Sequence, residues 1–235
     1  MLESFSSMDN KLKLILASAS SRRKDLLALM GMPFETRPGN FLEPKKGKQS
    51  TRDYVLTLAK AKAEHVVSYA GEILLAADTI VEINDALLGK PSDDAEAEQT
   101  LSTLRGNPHR VYTGLVLWDI SSGETLQSVC ETVVYMRDWT AEEQATYIYK
   151  ATYHDKAGGY AIQDTDFNPV ARIEGCYANV MGLPLCHLYR LFEQKALPLP
   201  VNLPEACQSY TKATCCYYPA ILQNVQCQRE TERSL

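Results

Sequence analysis

Asp78 interrupts an otherwise apolar run, Ile73-Leu-Leu-Ala-Ala-Asp-Thr-Ile-Val81. A carboxylate among such neighbours is costly unless water, a metal ion or a cation meets it. A strand that ends at a cleft meets that condition and would let Asp78 act as a base. An aspartate that caps a turn or pairs with a core lysine meets it equally. A second segment with chemistry in it lies near the start of the chain, where Leu14-Ile-Leu-Ala-Ser-Ala-Ser-Ser-Arg-Arg-Lys-Asp-Leu-Leu27 passes from apolar residues through small ones to adjacent arginines. The first amides of a helix opening there lack intrahelical partners. With the hydroxyls of Ser18 and Ser20 they can surround a phosphate that Arg22 and Arg23 neutralise. A capped surface helix with solvated arginines carries the same residues. Glu43, Lys62, Lys90 and Arg110 are ordinary surface charges when taken singly. Assembled around one cleft, they supply what polyphosphate chemistry needs: cations for the phosphates, a carboxylate to activate water, and another to help hold a divalent ion.

Apolar β-rich runs alternate with helical patterns, and this alternation predicts an α/β domain. The first strand and helix lead to Pro33-Phe-Glu-Thr-Arg37 and then a polar loop over residues 39–50 that contains Glu43. Tyr54, Val55, Leu58, Ala61, Ala63 and Val66 keep approximate helical spacing. They predict a helix over residues 51–69 in which Lys60 and Lys62 point in different directions. A buried strand over 73–83 follows, then a turn at Asn84-Asp85, then Leu87-Leu-Gly-Lys-Pro91. A helix over 93–104 stops at Gly106. Residues 111–120 and 125–135 predict a hairpin around Ser121-Ser-Gly123, and Thr140-Ala-Glu-Glu143 has capping-box spacing. Gly182-Leu-Pro184 introduces the last helix of the body, ending near Lys195.

The chain has 235 residues, 45% hydrophobic and 23% charged, which suits one globular domain with an appendage. The main domain is assigned to residues 11–196 and a Pro- and Cys-containing appendage to 197–235, because Leu197-Pro-Leu-Pro-Val-Asn-Leu-Pro204 cannot form an ordinary helix. A net charge of −5 argues against a protein that coats nucleic acid and favours a small-molecule partner. No apolar run approaches the roughly 18 residues of a membrane span, and residues 1–13 are polar, unlike a signal sequence. The expected location is cytoplasmic, which suits the scattered Cys130, Cys176 and Cys186 as reduced thiols. Cys207, Cys215, Cys216 and Cys227 lack the paired C-x-x-C knuckles of a strong zinc site. A metal site, disulfides and thiols without a role all stay open for them.

Six ordered segments resemble the signature blocks of the Maf family of nucleoside triphosphate pyrophosphatases. They are Ser18-Ala-Ser-Ser-Arg-Arg-Lys-Asp-Leu-Leu27, Ala77-Asp-Thr-Ile-Val81, Gly89-Lys-Pro91, His109-Arg-Val-Tyr-Thr113, Asp155-Lys-Ala-Gly-Gly-Tyr-Ala-Ile-Gln163 and Ile173-Glu-Gly-Cys-Tyr-Ala-Asn-Val-Met-Gly-Leu-Pro184. The resemblance implies a mixed-sheet, two-lobed fold around a central cleft, related to the inosine triphosphatase architecture, and a homodimer. It implies Asp78 as catalytic base. Ser18, Arg22, Arg23, Lys62, Thr79, Lys90 and Gln163 would contact substrate, and Glu43 with Asp78 would hold a divalent cation, Mg2+ or Mn2+. It also implies hydrolysis between the α and β phosphates, releasing a nucleoside monophosphate and pyrophosphate.

The block ending Tyr160-Ala-Ile-Gln163 resembles the branch that acts on thymidine and uridine triphosphates. A carboxamide offers one donor and one acceptor, which match the adjacent carbonyl and N–H of a uracil or thymine edge. The sister branch, acting on 7-methylguanosine triphosphate, tends to carry an acidic residue there. The chain departs from the family pattern at Ser21, where proline is usual, at Ala76, where glycine is common, and at Asp164, where glycine follows Gln163. An acidic Asp164 beside the base-reading residue is expected to disturb base preference. The alternatives are a 7-methylguanosine triphosphate pyrophosphatase and a catalytically silent nucleotide-binding regulator. The latter would keep the cations and lose the base.

Overall fold

The computed structural model of the protein describes residues 13–40, 42–197 and 199–223. The expected lack of a signal sequence at the start of the chain and the role of Cys227 lie outside the described residues, as do the start of the first assigned segment and the end of the second. The element order is β1 (Lys13–Leu16), α1 (Ser21–Ala28), β2 (Phe34–Thr36), α2 (Thr51–Glu64), β3 (Glu72–Ile83), β4 (Ala86–Leu88), α3 (Asp94–Leu104), β5 (Pro108–Asp119), β6 (Thr125–Met136), α4 (Ala141–Tyr149), a 3-10 turn (Ala157–Gly159), β7 (Val170–Glu174), α5 (Tyr177–Met181), α6 (Leu185–Gln194), α7 (Leu203–Thr211) and α8 (Tyr218–Gln223). The α/β expectation holds. One mixed seven-stranded sheet runs β2-β1-β3-β5-β6-β7, with β4 paired to β3. β1 is parallel to both β2 and β3, and the remaining pairs are antiparallel.

The alternation of side chains along β3 divides the core. Ile73, Leu75, Ala77, Val81 and Ile83 join the large cluster with α1, α3, α4 and α6, while Leu74, Ala76 and Ile80 pack beneath α2. β3 is long and central, yet one edge is interrupted. Its pairing with β1 ends at Leu16↔Leu75, and its pairing with β4 begins at Val81↔Leu88. Residues 77–80 therefore face a gap in the sheet. That gap is why a strand composed like a core element can carry Asp78.

Gly114 lies opposite Asp78 in the β3–β5 register. A Cβ on it would come within 2.8 Å of the Val55 carbonyl oxygen in α2, so its missing side chain lets α2 settle onto the sheet. α2 is shorter than the predicted 51–69 helix. After Glu64 come Val66, Val67 and Ser68, which favour helix poorly, and Gly71, at φ +87°, turns the chain into β3. β5 begins at Pro108, three residues before the predicted 111, since proline is tolerated at the first position of a strand. The hairpin at Ser121-Ser-Gly123 is as expected, closed by Gly123 N–H donating to the Asp119 carbonyl at 2.9 Å. The capping box also forms. Glu143 N–H donates to Thr140 Oγ1 at 3.2 Å and Thr140 N–H to Glu143 Oε2 at 2.7 Å.

The described part of the tail folds onto the body. After the proline-rich run, α7 starts at Leu203 with Pro204 in its first turn, where a missing N–H costs nothing. Leu203 is buried in the main core. Cys207 and Cys215 are free thiols.

Candidate active site

β1 ends in the turn Ala17-Ser-Ala-Ser20, and α1 is capped by Ser20, whose hydroxyl accepts from Arg23 N–H at 3.4 Å. One turn of helix then aims both arginines at the gap beside β3. Arg23 is buried. Its Nε donates to the Gly182 carbonyl at 2.9 Å, Nη2 to Thr79 Oγ1 at 3.0 Å and Nη1 to Ser18 Oγ at 3.4 Å. Gly182 caps α5 at φ +109°, a left-handed conformation that suits glycine and turns its carbonyl toward Arg23. Burial lowers the Arg23 pKa and neighbouring Asp78 opposes that shift. The polar chain continues inward. Thr79 Oγ1 lies 2.9 Å from Thr113 Oγ1, which bonds the Asn179 carbonyl, and Asn179 Nδ2 donates to Thr132 Oγ1 at 2.9 Å. Such a network fixes a buried guanidinium in one position.

Asp78 is 6% exposed and points to the opposite face of β3 from Thr79, toward α2, where it contacts the Lys62 ammonium. Lys60, two residues earlier, is exposed and pairs with Glu64 at 3.7 Å, so the two lysines diverge as the helical spacing predicts. A cavity of about 540 Å³ joins these groups. Asp78, Thr79, Lys62, Arg22, Arg23, Glu43, Lys90 and Gln163 all line it. Glu43 comes from the polar loop before α2 and Lys90 from the loop after β4. Gly158 N–H donates to the Gly89 carbonyl at 2.9 Å, which ties the Lys90 loop to the segment carrying Gln163.

Two sequence-predicted residues stand elsewhere. Ser18 lies behind Arg23 and accepts from it, and it also accepts from Ser20 N–H at 3.2 Å; it orders the turn from behind the cavity wall. Arg110 pairs with Glu131 and is not on the cavity wall, because alternation along β5 puts Val111 there instead. Asp164, expected to disturb base reading, is turned away. Its carboxylate accepts from Asp166 N–H at 3.1 Å and Phe167 N–H at 2.8 Å and caps the following turn.

The site also uses residues that sequence reasoning missed. Arg22 Nη1 donates to Asp155 Oδ2 at 2.6 Å, and Lys156 Nζ to Asp155 Oδ1 at 2.6 Å. Burial opposes ionisation of Asp155, but these cations outweigh it and hold the carboxyl below the usual range. Tyr54 lines the cavity, donates to the Pro44 carbonyl at 2.8 Å and so braces the Glu43 loop. Burial raises its pKa, with Glu43 and Asp78 adding to the effect. Asp155-Lys156 opens the family-like segment Asp155–Gln163, so the signal is present in the sequence. Only the fold shows that it faces Arg22.

A family profile described as Maf-like protein matches residues 13–195. The chain is 39% identical over 183 residues to a dTTP/UTP pyrophosphatase of Dehalococcoides mccartyi, covering 77% of this chain and 82% of that one. It is 41% identical over 182 residues to a dTTP/UTP pyrophosphatase of Geotalea uraniireducens, with 77% and 94% covered. A dTTP/UTP pyrophosphatase of Thermomicrobium roseum is 40% identical over 201 residues, with 83% and 91% covered. A solved HAM1 protein from Coxiella burnetii aligns with a TM-score of 0.37 at 18% identity over 53% of this chain and 73% of that one, a likeness too weak to bear on the fold. By the profile match and these relatives, the chain belongs to the Maf family.

Proposed function

We propose that this chain is a nucleoside triphosphate pyrophosphatase that converts dTTP and UTP to the monophosphate and pyrophosphate. The observation that carries the reading is the convergence of a buried Asp78 with Lys62, Arg22, Arg23, Lys90, Glu43 and Gln163 on one cavity. Its volume of about 540 Å³ suits a single small ligand. The relatives' shared activity supports the choice of substrate.

In the proposed reaction Asp78 accepts a proton as water attacks the α phosphorus. The new oxygen–phosphorus bond forms as the bond to the bridging oxygen breaks, and pyrophosphate leaves with that oxygen and its electron pair. Lys62, Arg22, Arg23 and Lys90 offset the charge on the phosphates and on the departing group. Arg23 is already fixed by its buried bonds, so little reorganisation is needed. Thr79 and Ser18 hold that guanidinium in place. Gln163 reads the base edge through its paired donor and acceptor.

The donor set fits a divalent ion such as Mg2+ or Mn2+. Two hard carboxylates, Asp78 and Glu43, share the cavity wall with room for phosphate oxygens, the mixed ligation that Mg2+ favours. Among the described residues no group of three or more His, Cys, Asp or Glu could hold a metal without the substrate. The bound ion would neutralise phosphate charge. We further propose a homodimer in the cytoplasm, without nucleic-acid or membrane partners. The resemblance of the six blocks supports the dimer, the free thiols of Cys130, Cys176 and Cys186 suit a reducing compartment, and the net charge of −5 disfavours nucleic acid. No helix among the described residues is long and apolar enough to cross a membrane.

The test is pyrophosphate release from a panel of triphosphates with magnesium or manganese. Turnover highest with UTP and dTTP supports the reading. Preference for 7-methylguanosine triphosphate would move the chain to the sister activity, and tight binding without turnover would make it a silent regulator.

A further inference from the structure

α7 lies beyond residues 13–195, the segment matched by the family profile, yet it reaches the cleft. A second hollow of about 430 Å³ adjoins the cavity and shares Arg22, Asp155, Lys156, Gln163 and Met181 with it. Tyr210 and Thr211, from the last turn of α7, close its far side, and Tyr177 and Met181 supply apolar surface. Asp78, Lys62, Arg23, Lys90 and Glu43 line only the first cavity. The hollow therefore opens from the side of the site where Gln163 and the Arg22–Asp155–Lys156 ion pairs stand, with Ser21 and Asp25 also on its wall. Leu203, buried in the main core, and the buried Thr211 anchor α7, while Tyr210 on the wall of the hollow is 41% exposed.

We propose that the base of a bound pyrimidine nucleotide reaches past Gln163 into this hollow and lies against the Tyr210 ring, so that a residue outside the family segment completes the substrate site. Gln163 meets the edge of the base, and the tyrosine ring offers what the edge contact lacks, a flat surface for its face. The choice of a pyrimidine rests on the pyrophosphatase reading above; the placement of Tyr210 and Gln163 on one hollow does not.

The test compares Tyr210→Ala, Tyr210→Phe and a control, Tyr149→Ala, whose side chain is exposed on α4 away from the cleft. Calorimetry with EDTA measures binding of UTP and of inorganic tripolyphosphate, which has no base, and steady-state assays with magnesium measure KM and kcat. Tyr210→Ala is expected to weaken UTP binding and raise KM about 5- to 20-fold, with kcat falling much less and tripolyphosphate binding within about twofold of wild type. Tyr210→Phe, which keeps the ring, restores UTP affinity, and Tyr149→Ala changes neither probe. Unchanged UTP affinity in Tyr210→Ala, or equal weakening of both probes, overturns the proposal. A wild-type chain that binds UTP but releases no pyrophosphate contradicts the pyrophosphatase reading and leaves the binding comparison to decide the role of Tyr210. A wild-type chain that neither binds UTP nor releases pyrophosphate from it overturns both; one that turns UTP over with magnesium but does not bind it in EDTA leaves the KM of Tyr210→Ala to decide.

Discussion

The proposed reaction assigns bond cleavage to Asp78 and selectivity to Gln163, and each assignment gives a separable prediction. Asp78→Asn keeps the shape of the side chain but cannot take a proton from water. Turnover should fall about 10²- to 10⁴-fold with UTP binding retained, as measured by kcat and by calorimetry on the folded variant. Near-normal kcat would remove Asp78 from the base role. Gln163→Glu replaces the donor with a second acceptor against a base carbonyl. A lost pairing plus repulsion costs on the order of 2–3 kcal/mol, about 30- to 150-fold in kcat/KM for UTP. The same variant should be neutral or better with 7-methylguanosine triphosphate, whose edge offers donors, and an unchanged substrate ratio would make Gln163 structural. Asp78 was legible in the sequence because a lone carboxylate in an apolar strand needs an explanation. Ser18 and Arg110 were misplaced because spacing alone does not tell which side of a turn or strand faces the cleft. Asp164 is adjacent to Gln163 in sequence, but its bonds to the amides of Asp166 and Phe167 turn it toward its own loop, which sequence adjacency cannot show.

At the scale of elements, the candidate site depends on two features that a strand pattern cannot display. The gap between the β1 and β4 pairings on β3 leaves room for the cavity at Asp78, and the seating of α2 on Gly114 brings Lys62 to it. Gly114→Ala would drive a Cβ into the Val55 backbone, which has no rotamer to yield. Stability should fall by about 1–3 kcal/mol in urea melts, and kcat/KM by about ten- to a hundredfold as Lys62 moves off Asp78. Loss of neither would show that α2 seats independently of that glycine. Alternation and helical spacing disclosed β3, α3, the hairpin and the capping box at Thr140. They overran α2 by five residues because the apolar Val66 still falls on the helix face, buried there after the helix has ended.

The molecule as a whole couples its fold to pH through histidines outside the site. His109 is 2% exposed and its Nε2 lies 2.8 Å from the Tyr160 hydroxyl, so burial lowers its pKa to about 3. Burial also lowers that of His187 to about 4, with Arg52 and Arg190 adding to the shift. Both are neutral when folded and take up a proton more readily when unfolded. Their contribution is therefore present above pH 6.5 and lost as pH falls below it. Each should cost about 2 kcal/mol by pH 5. Paired carboxyls such as Asp119, held down to about 2 chiefly by its bond with Lys195, lose theirs only at lower pH, so the interval from pH 6.5 to 5 isolates the histidines. Urea melts across that interval should show the decline, with His109→Gln removing about half of it; a flat profile would contradict the buried-neutral assignment. The tail was read as an appendage because proline spacing reports the break at 197–204. It cannot report that Leu203 re-enters the core and carries Tyr210 to the cleft.

The most direct test of the account is to hydrolyse UTP with magnesium in 18O-labelled water and identify both products. Attack at the α phosphorus predicts equal amounts of UMP and pyrophosphate, with the label in UMP alone. Release of UDP with labelled orthophosphate, or label in pyrophosphate, would contradict it.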